Sequence, residues 1–303
     1  MLYILQTALE LGFLYALVAM ALFLSYRVLD IADLTTDGCF VLGAAVSVTM
    51  AAAGHPFLGI IAAMAAGSCA GFITAFLQTR LGVPPILAGI VTNTGLYTIN
   101  LMVMGWSSNV SLLKTETIFT IFETTGIGGK WYEVVLAGSI TILMGIFLVL
   151  FLGTRLGLSI RATGNNIRMV RASSINPTFT ITVGLCIANA LTALSGAMVG
   201  QYQNTADING GTGIVVIGLA CLIIGETVLG RKTIIKGAIA AVIGSVIYRF
   251  IYAIVLYTKV VPVQGLKLLT AIVVGVAIAA PTIKNWFLFQ RRKYAAMRRK
   301  GGR

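Results

Sequence analysis

Apolar residues gather into runs of roughly 20, the length a helix needs to cross a bilayer, at about 2–26, 37–54, 56–79, 84–105, 132–153, 177–201, 213–230, 233–257 and 262–285. The pattern predicts nine membrane helices, with one more or fewer allowed by the run lengths. Pro56, Pro84, Pro177 and Pro262 each open a run, where a missing N–H costs nothing, and Asn176 is placed to cap the run that starts at Pro177. The first run has no basic residue before it, carries Glu10, and ends in Ser25-Tyr26-Arg27 rather than in a small-residue cleavage site. It is expected to remain as a helix and not to be removed as a signal.

The polar stretches between the runs are more informative than the runs. The longest basic one lies at 155–176 and holds Arg155, Arg161, Arg168 and Arg171 with no acid. A stretch of this kind belongs inside the cell by the positive-inside bias, and its centre can fold as a short helix lying along the membrane face. With alternating spans and this loop inside, seventeen Lys and Arg fall on inner segments and three, Lys114, Lys130 and Lys259, on outer ones. The N-terminus is therefore expected outside and the C-terminus inside. The tail at 291–303 is Arg/Lys-rich and reads as an anchor on anionic lipid.

A weak internal repeat appears at a separation of about 175 residues. Ala32-Asp33-Leu34-Thr35-Thr36-Asp37-Gly38 resembles Ala206-Asp207-Ile208-Asn209-Gly210-Gly211-Thr212, and Val83-Pro84 echoes Val261-Pro262. The copies would be four helices each, at 2–105 and 177–285, joined by a linking helix at 132–153 and the basic loop. Five spans separate their starts, so they would lie inverted in the membrane, an arrangement that puts a substrate path at the repeat interface with broken helices lining it. Asp, Asn and Gly suit a helix break, and open backbone at membrane depth is tolerated only inside protein or beside water. Thr35, Thr36, Asp37, Asp207 and Asn209 are the candidates for such a path. Asn93, Asn100 and Asn189 lie at mid-span, where an amide either joins helices or meets a solute. Glu226 and Arg249 are candidates for a gate or an ion pair, with Asp207 a potential partner of Arg249, while Lys267 is close enough to a span end to snorkel.

Composition closes off other classes. Of 303 residues 58% are hydrophobic and 10% charged, and mean hydropathy is +0.95, so the fold expected is an all-α polytopic membrane protein. A net charge of +13 could suggest nucleic acid, but the basic residues sit between spans and in the tail rather than on one soluble face. Cys39, Cys69, Cys186 and Cys221 have no ligand spacing and His55 is the single histidine, so no metal site is expected and the cysteines read as small packing residues. No phosphate-binding Gly-rich loop with Lys-Ser/Thr occurs, nor a zinc or serine-nucleophile motif, so the chain is expected to be no enzyme and to bind no cofactor.

Several blocks carry a family resemblance. Tyr26-Arg-Val-Leu-Asp30-Ile-Ala-Asp-Leu-Thr-Thr-Asp37-Gly38, Arg161-Ala-Thr-Gly-Asn165-Asn166, Gly225-Glu226, and Pro262 with Leu266-Lys267-Leu268 and Thr270-Ala271 are similar to the membrane permeases of bacterial ABC importers of the branched-chain amino-acid and ribose type, in a less-characterised branch. The resemblance covers essentially the whole chain. It implies a permease in the cytoplasmic membrane that pairs with a second copy, binds two ATPase subunits which use ATP and Mg, and receives solute from an extracytoplasmic binding protein. It also implies a coupling helix before the sixth span, which falls on Gly164, Asn165, Asn166, Ile167, Arg168, Met169, Val170 and Arg171. An Asn at 165 or 166 can cap such a two-turn helix, Ile167, Met169 and Val170 give it an apolar surface, and Arg168 and Arg171 share one side. Amino-acid members commonly read Asn-Phe-Ala-His-Gly where this chain has Asp33 to Gly38, so the resemblance does not carry branched-chain amino acids over as the cargo. The expected cargo is a small polar solute, amino acid-like before sugar or nucleoside. The rival reading is a secondary transporter with inverted repeats, driven by an ion gradient.

Overall fold

The computed structural model describes residues 2–258, apart from 113–114, 125, 127–128 and 231–232, and beyond them only 268, 270–272, 274–276 and 279. Residues 1–253 form one compact unit and 254–303 a second. The expected ninth span, the Val261-Pro262 echo, Lys267 and the basic tail lie outside the described residues, except for scattered positions of the span.

Up to residue 258 the chain is mostly helical. Leu2–Leu22 (α1) runs on into a wider π-helical turn, Phe23–Val28. Thr36–Ala52 (α2), Pro56–Thr79 (α3) and Pro85–Val103 (α4) follow. Next come a strand, Asn109–Ser111 (β1), and a short helix, Ile118–Thr124 (α5). Tyr132–Gly153 (α6) leads to two helices in the basic stretch, Arg155–Asn165 (α7) and Ile167–Ala172 (α8). Pro177–Gln203 (α9), Thr205–Asp207 (β2), Ile214–Leu229 (α10) and Ile234–Thr258 (α11) complete the series.

Eight of the nine expected runs are thus helices among the described residues, and six of these are long and apolar enough to cross a membrane. The exceptions are α2, with 17 residues, and α10, with 16. At 1.5 Å per residue each spans roughly 25 Å, short of the ~30 Å hydrocarbon core. Each starts close behind an Asp-bearing stretch, α2 at Thr36 and α10 at Ile214.

Helices α1 and α9 are the centre. Their apolar windows are 78% and 72% buried, against 28–33% for α3, α4, α6 and α11, which present apolar faces outward. Small residues bring α9 close to its neighbours. A Cβ at Gly67 of α3 would press on the Asn189 carbonyl, and one at Gly196 of α9 would collide with that of Phe40 in α2. The two Gly-x-x-x-Gly pairs, Gly67/Gly71 and Gly196/Gly200, therefore act as close helix contacts. Glu10 is buried in α1, where its carboxylate accepts from Tyr202 Oη at 2.6 Å and Gln6 Nε2 at 2.9 Å. At the end of the bundle where α9 finishes, β1 and β2 pair antiparallel with Asn109 opposite Asp207. The opposite end carries α7 and α8.

Candidate functional site: two helix breaks and a polar cavity

Between the π-helical turn and α2 the chain is irregular, and Asp33 organises it. Its Oδ1 accepts the Thr35 N–H at 2.9 Å, and its Oδ2 accepts Asn189 Nδ2 from α9 at 2.7 Å. The Asp33 carbonyl accepts Thr36 Oγ1 at 3.1 Å, and the Thr35 hydroxyl meets that of Thr74 in α3 at 2.8 Å. Asp33, Thr35, Thr36 and Asn189 are all buried. These side-chain bonds cross from the break to a long helix or close the break on itself.

A second break lies between β2 and α10. Asn204 ends α9 in the left-handed conformation. Asp207 Oδ1 then accepts the Asn209 N–H at 2.9 Å, the same two-residue Asx turn that Asp33 makes. Gly213, at φ +86°, turns the chain into α10. The side chain that caps α10 comes from the other break: Asp37, in the first turn of α2, accepts the Gly213 N–H at 3.1 Å and the Val215 N–H at 2.9 Å. Two helix N-termini, each the positive end of its dipole, are thereby drawn together around one carboxylate. Gly211 is required at this meeting, since a Cβ there would collide with the Asp37 carbonyl.

Beside this junction is a cavity of about 350 Å³ whose polar walls include Asp37, Asn93, Tyr97, Asn100, Asn209 and Thr212. Its size is in the range of small-molecule sites. The Asn100 amide donates to the Gly38 carbonyl at 3.1 Å, tying α4 to α2. A smaller cavity of about 60 Å³ is lined by Tyr15, Gln203, Thr205 and Asp207, and Val41 belongs to both.

The α7–α8 end has its own polar construction. Thr154 Oγ1 accepts the Gly157 N–H at 3.2 Å and so caps α7; Asn166 Oδ1 accepts the N–H groups of Arg168 and Met169 at 3.0 and 3.1 Å and caps α8. A Cβ at Gly164 would collide with the Val28 carbonyl, so α7 lies directly on the π-helical turn. From that turn Arg27 Nε reaches Glu226 Oε1, near the C-terminal end of α10, at 3.1 Å. Arg27, Arg161, Asn165, Glu226 and Thr233 line a cavity of about 570 Å³ at this end.

Comparison with known proteins decides the class of this arrangement. Residues 4–280 match the family described as the permease component of the branched-chain amino acid transport system. The chain belongs to that permease family. It is 33% identical over 260 residues to a tyrosine transport system permease protein of Clostridioides difficile (strain R20291), covering 86% of this chain and 85% of the relative. It is also 33% identical over 282 residues to an uncharacterized protein of Rickettsia prowazekii (strain Madrid E), covering 91% of this chain and 97% of the relative. No solved structure matches it. As a permease with several apolar helices it is a multi-pass protein of the cytoplasmic membrane, and a member of this family is a transport subunit rather than a catalytic enzyme.

The permease distributes the expected path residues over two different environments. Asp37, Asn93 and Asn209 line the larger cavity and Asp207 the smaller one, whereas Thr35, Thr36 and Asn189 line neither and are packed around Asp33. Asp33 itself is the residue that sequence reasoning missed. Its signal was an Asp two residues before a Thr at a helix start, the spacing of an Asx turn.

In the basic stretch Ile167, Arg168, Met169 and Arg171 are exposed, but Val170 is fully buried. It anchors α8 to the bundle rather than extending the apolar surface. The stretch also forms two helices where one was expected, because Thr154 supplies a cap just ahead of Arg155. Arg249 does not pair with Asp207. Its guanidinium stacks over the Tyr15 ring, 3.7 Å from the centroid, and Asp207 is exposed and bonded to its own turn. Glu226 pairs with Arg27, a residue that precedes the first break.

Proposed function

We propose that this permease is the membrane-spanning subunit of an ATP-driven importer that brings a small amino acid-like solute into the cell. In this reading the N-terminus is outside, and 2–105 and 177–285 are inverted repeats whose breaks form the translocation path. A second copy completes the path, an extracytoplasmic binding protein delivers the solute, and ATPase subunits dock on α8 through Ile167, Arg168, Met169 and Arg171. The observation that carries the reading is the Asp37 cap, which joins the first break to α10 on the wall of a polar cavity of about 350 Å³. Movement of either break relative to the other must open or close that wall. Family membership and the tyrosine permease relative support an amino acid-like cargo.

The route from docking surface to cavity is physical. A push on α8 moves α7, which rests through Gly164 on Val28; the π-helical turn carries Arg27, and Arg27 holds Glu226 of α10. The far end of α10 is the end Asp37 caps. ATP and Mg are used by the partner subunits, since the chain offers no phosphate loop of its own.

The test is reconstitution of the full chain with a candidate ATPase and a candidate binding protein, in vesicles given ATP and Mg on the ATPase side. L-Tyrosine, L-leucine, ribose and a nucleoside are offered on the other side. ATP-dependent uptake of an amino acid is expected, together with loss of the ATPase from a still-folded variant carrying Arg168→Glu and Arg171→Glu. Uptake that runs on a sodium or proton gradient without ATP would replace this reading with the secondary transporter.

A further inference from the structure

Arg249 sits fifteen residues into α11, roughly 22 Å along the helix at 1.5 Å per residue, and is 9% exposed. Its guanidinium carbon lies 3.7 Å from the Tyr15 ring centroid and 5.7 Å from that of Tyr252. Stacking of this kind satisfies the faces of the guanidinium and leaves its edge, with five N–H donors, unserved. Its Nε has no hydrogen-bond partner, and among the described residues no carboxylate lies within ion-pair distance.

The acids that could have neutralised it are engaged elsewhere. Asp33 is bonded to Asn189, Asp37 caps α10, Glu10 holds Tyr202 and Gln6, and Glu226 is paired with Arg27. Ser245, one turn away on α11, gives its hydroxyl to the Gly12 carbonyl. A guanidinium at membrane depth is costly, and keeping one with an open edge calls for a ligand that arrives from outside the bundle. Tyr15 also lines the small cavity with Asp207, and Val41 is a wall shared by that cavity and the larger one. The arginine is therefore one aromatic ring from the small cavity.

We infer that Arg249, held by Tyr15 and Tyr252, is a carboxylate-binding site on the translocation path and that its ligand is the carboxylate of the transported solute. The planar fork matches a carboxylate in two parallel hydrogen bonds, which an ammonium on a flexible stem does not. The identity of the ligand as solute rests on the importer reading; the carboxylate site does not.

The experiment measures Tm of the purified full chain in nanodiscs with L-tyrosine, L-leucine, tyramine, sodium formate or sodium chloride at matched ionic strength. The amino acids and formate should raise the wild-type Tm by about 3 °C or more, and tyramine and chloride should not. Arg249→Gln should lose the shift and Arg249→Lys should keep less than half of it. Indifference of the wild type to every carboxylate, an equal response to chloride, or a wild-type response from Arg249→Gln overturns the site. If Arg249→Gln does not fold, a full response from Arg249→Lys does so. A formate shift without an amino-acid shift overturns the solute as ligand. Uptake separates the two readings. A carboxylate shift with no ATP-driven uptake removes the importer and leaves the site, whereas Arg249→Gln vesicles that take up amino acid with wild-type KM remove the site alone.

Discussion

The two helix breaks make the same turn and put it in opposite surroundings. At Asp33 the carboxylate is buried and shared between its own turn and a long helix; at Asp207 it is exposed and bonded only to its own turn. The first break is locked to α9 and α3 by side-chain bonds. The second is held at one end by a three-residue ribbon and at the other by the Asp37 cap. A pair of like turns can thus be held in unlike ways, one by buried side-chain bonds and the other by backbone pairing and a cap from a distant helix.

The largest effect in this comparison should come from Asp33→Ala. It deprives the Thr35 N–H and the Asn189 amide of a charged acceptor at a buried site and should cost about 3 kcal/mol, read as a lower Tm of the purified chain. An equal loss from Asp207→Ala would erase the distinction between the breaks. Asp37→Ala comes next: an uncapped α10 should cost about 1–2 kcal/mol, and solute uptake should fall further than stability because the residue also lines the cavity. Arg27→Ala should change Tm little, since an ion pair with a half-exposed partner contributes at most about 1 kcal/mol. It should nevertheless raise ATP hydrolysis per solute moved, measured in the reconstituted complex. The smallest change is expected from Asp207→Ala, within about 0.5 kcal/mol as for other exposed positions.

Much of the fold was legible because a bilayer imposes a length. Runs of apolar residues of about that length become helices whatever their neighbours, and the described helices follow the expected runs to within a few residues. The first break was legible only approximately: the Asp-Thr-Gly stretch marks a helix boundary, but Thr36 and Asp37 lie in the first turn of α2 and the irregular backbone precedes them. Burial at those breaks was not. Nothing in the local sequence separates Asp33 from Asp207, since what distinguishes them is Asn189 arriving from α9, 156 residues further on. Likewise the cap on α10 is supplied by Asp37 from 176 residues before Gly213, and no windowed reading reaches that far. The two helices of the basic stretch could have been read from Thr154 and Asn166, which stand one residue before each start.

The π-helical turn at Phe23–Val28 sets a phase. Its backbone bonds skip one residue more than an α-helix would, as from the Leu29 N–H to the Leu24 carbonyl at 3.0 Å, so the turn holds a surplus residue. The surplus is absorbed where it lies, so the chain beyond it stays in phase, but moving it along the helix would turn the residues it passes by about 100° around the axis. Were it to pass Arg27 and Val28, Arg27 would face away from Glu226 and the Val28 carbonyl would leave Gly164. One surplus residue in α1 thus keeps two contacts in angular register at once, and a shift of that surplus along the helix would engage or release both together.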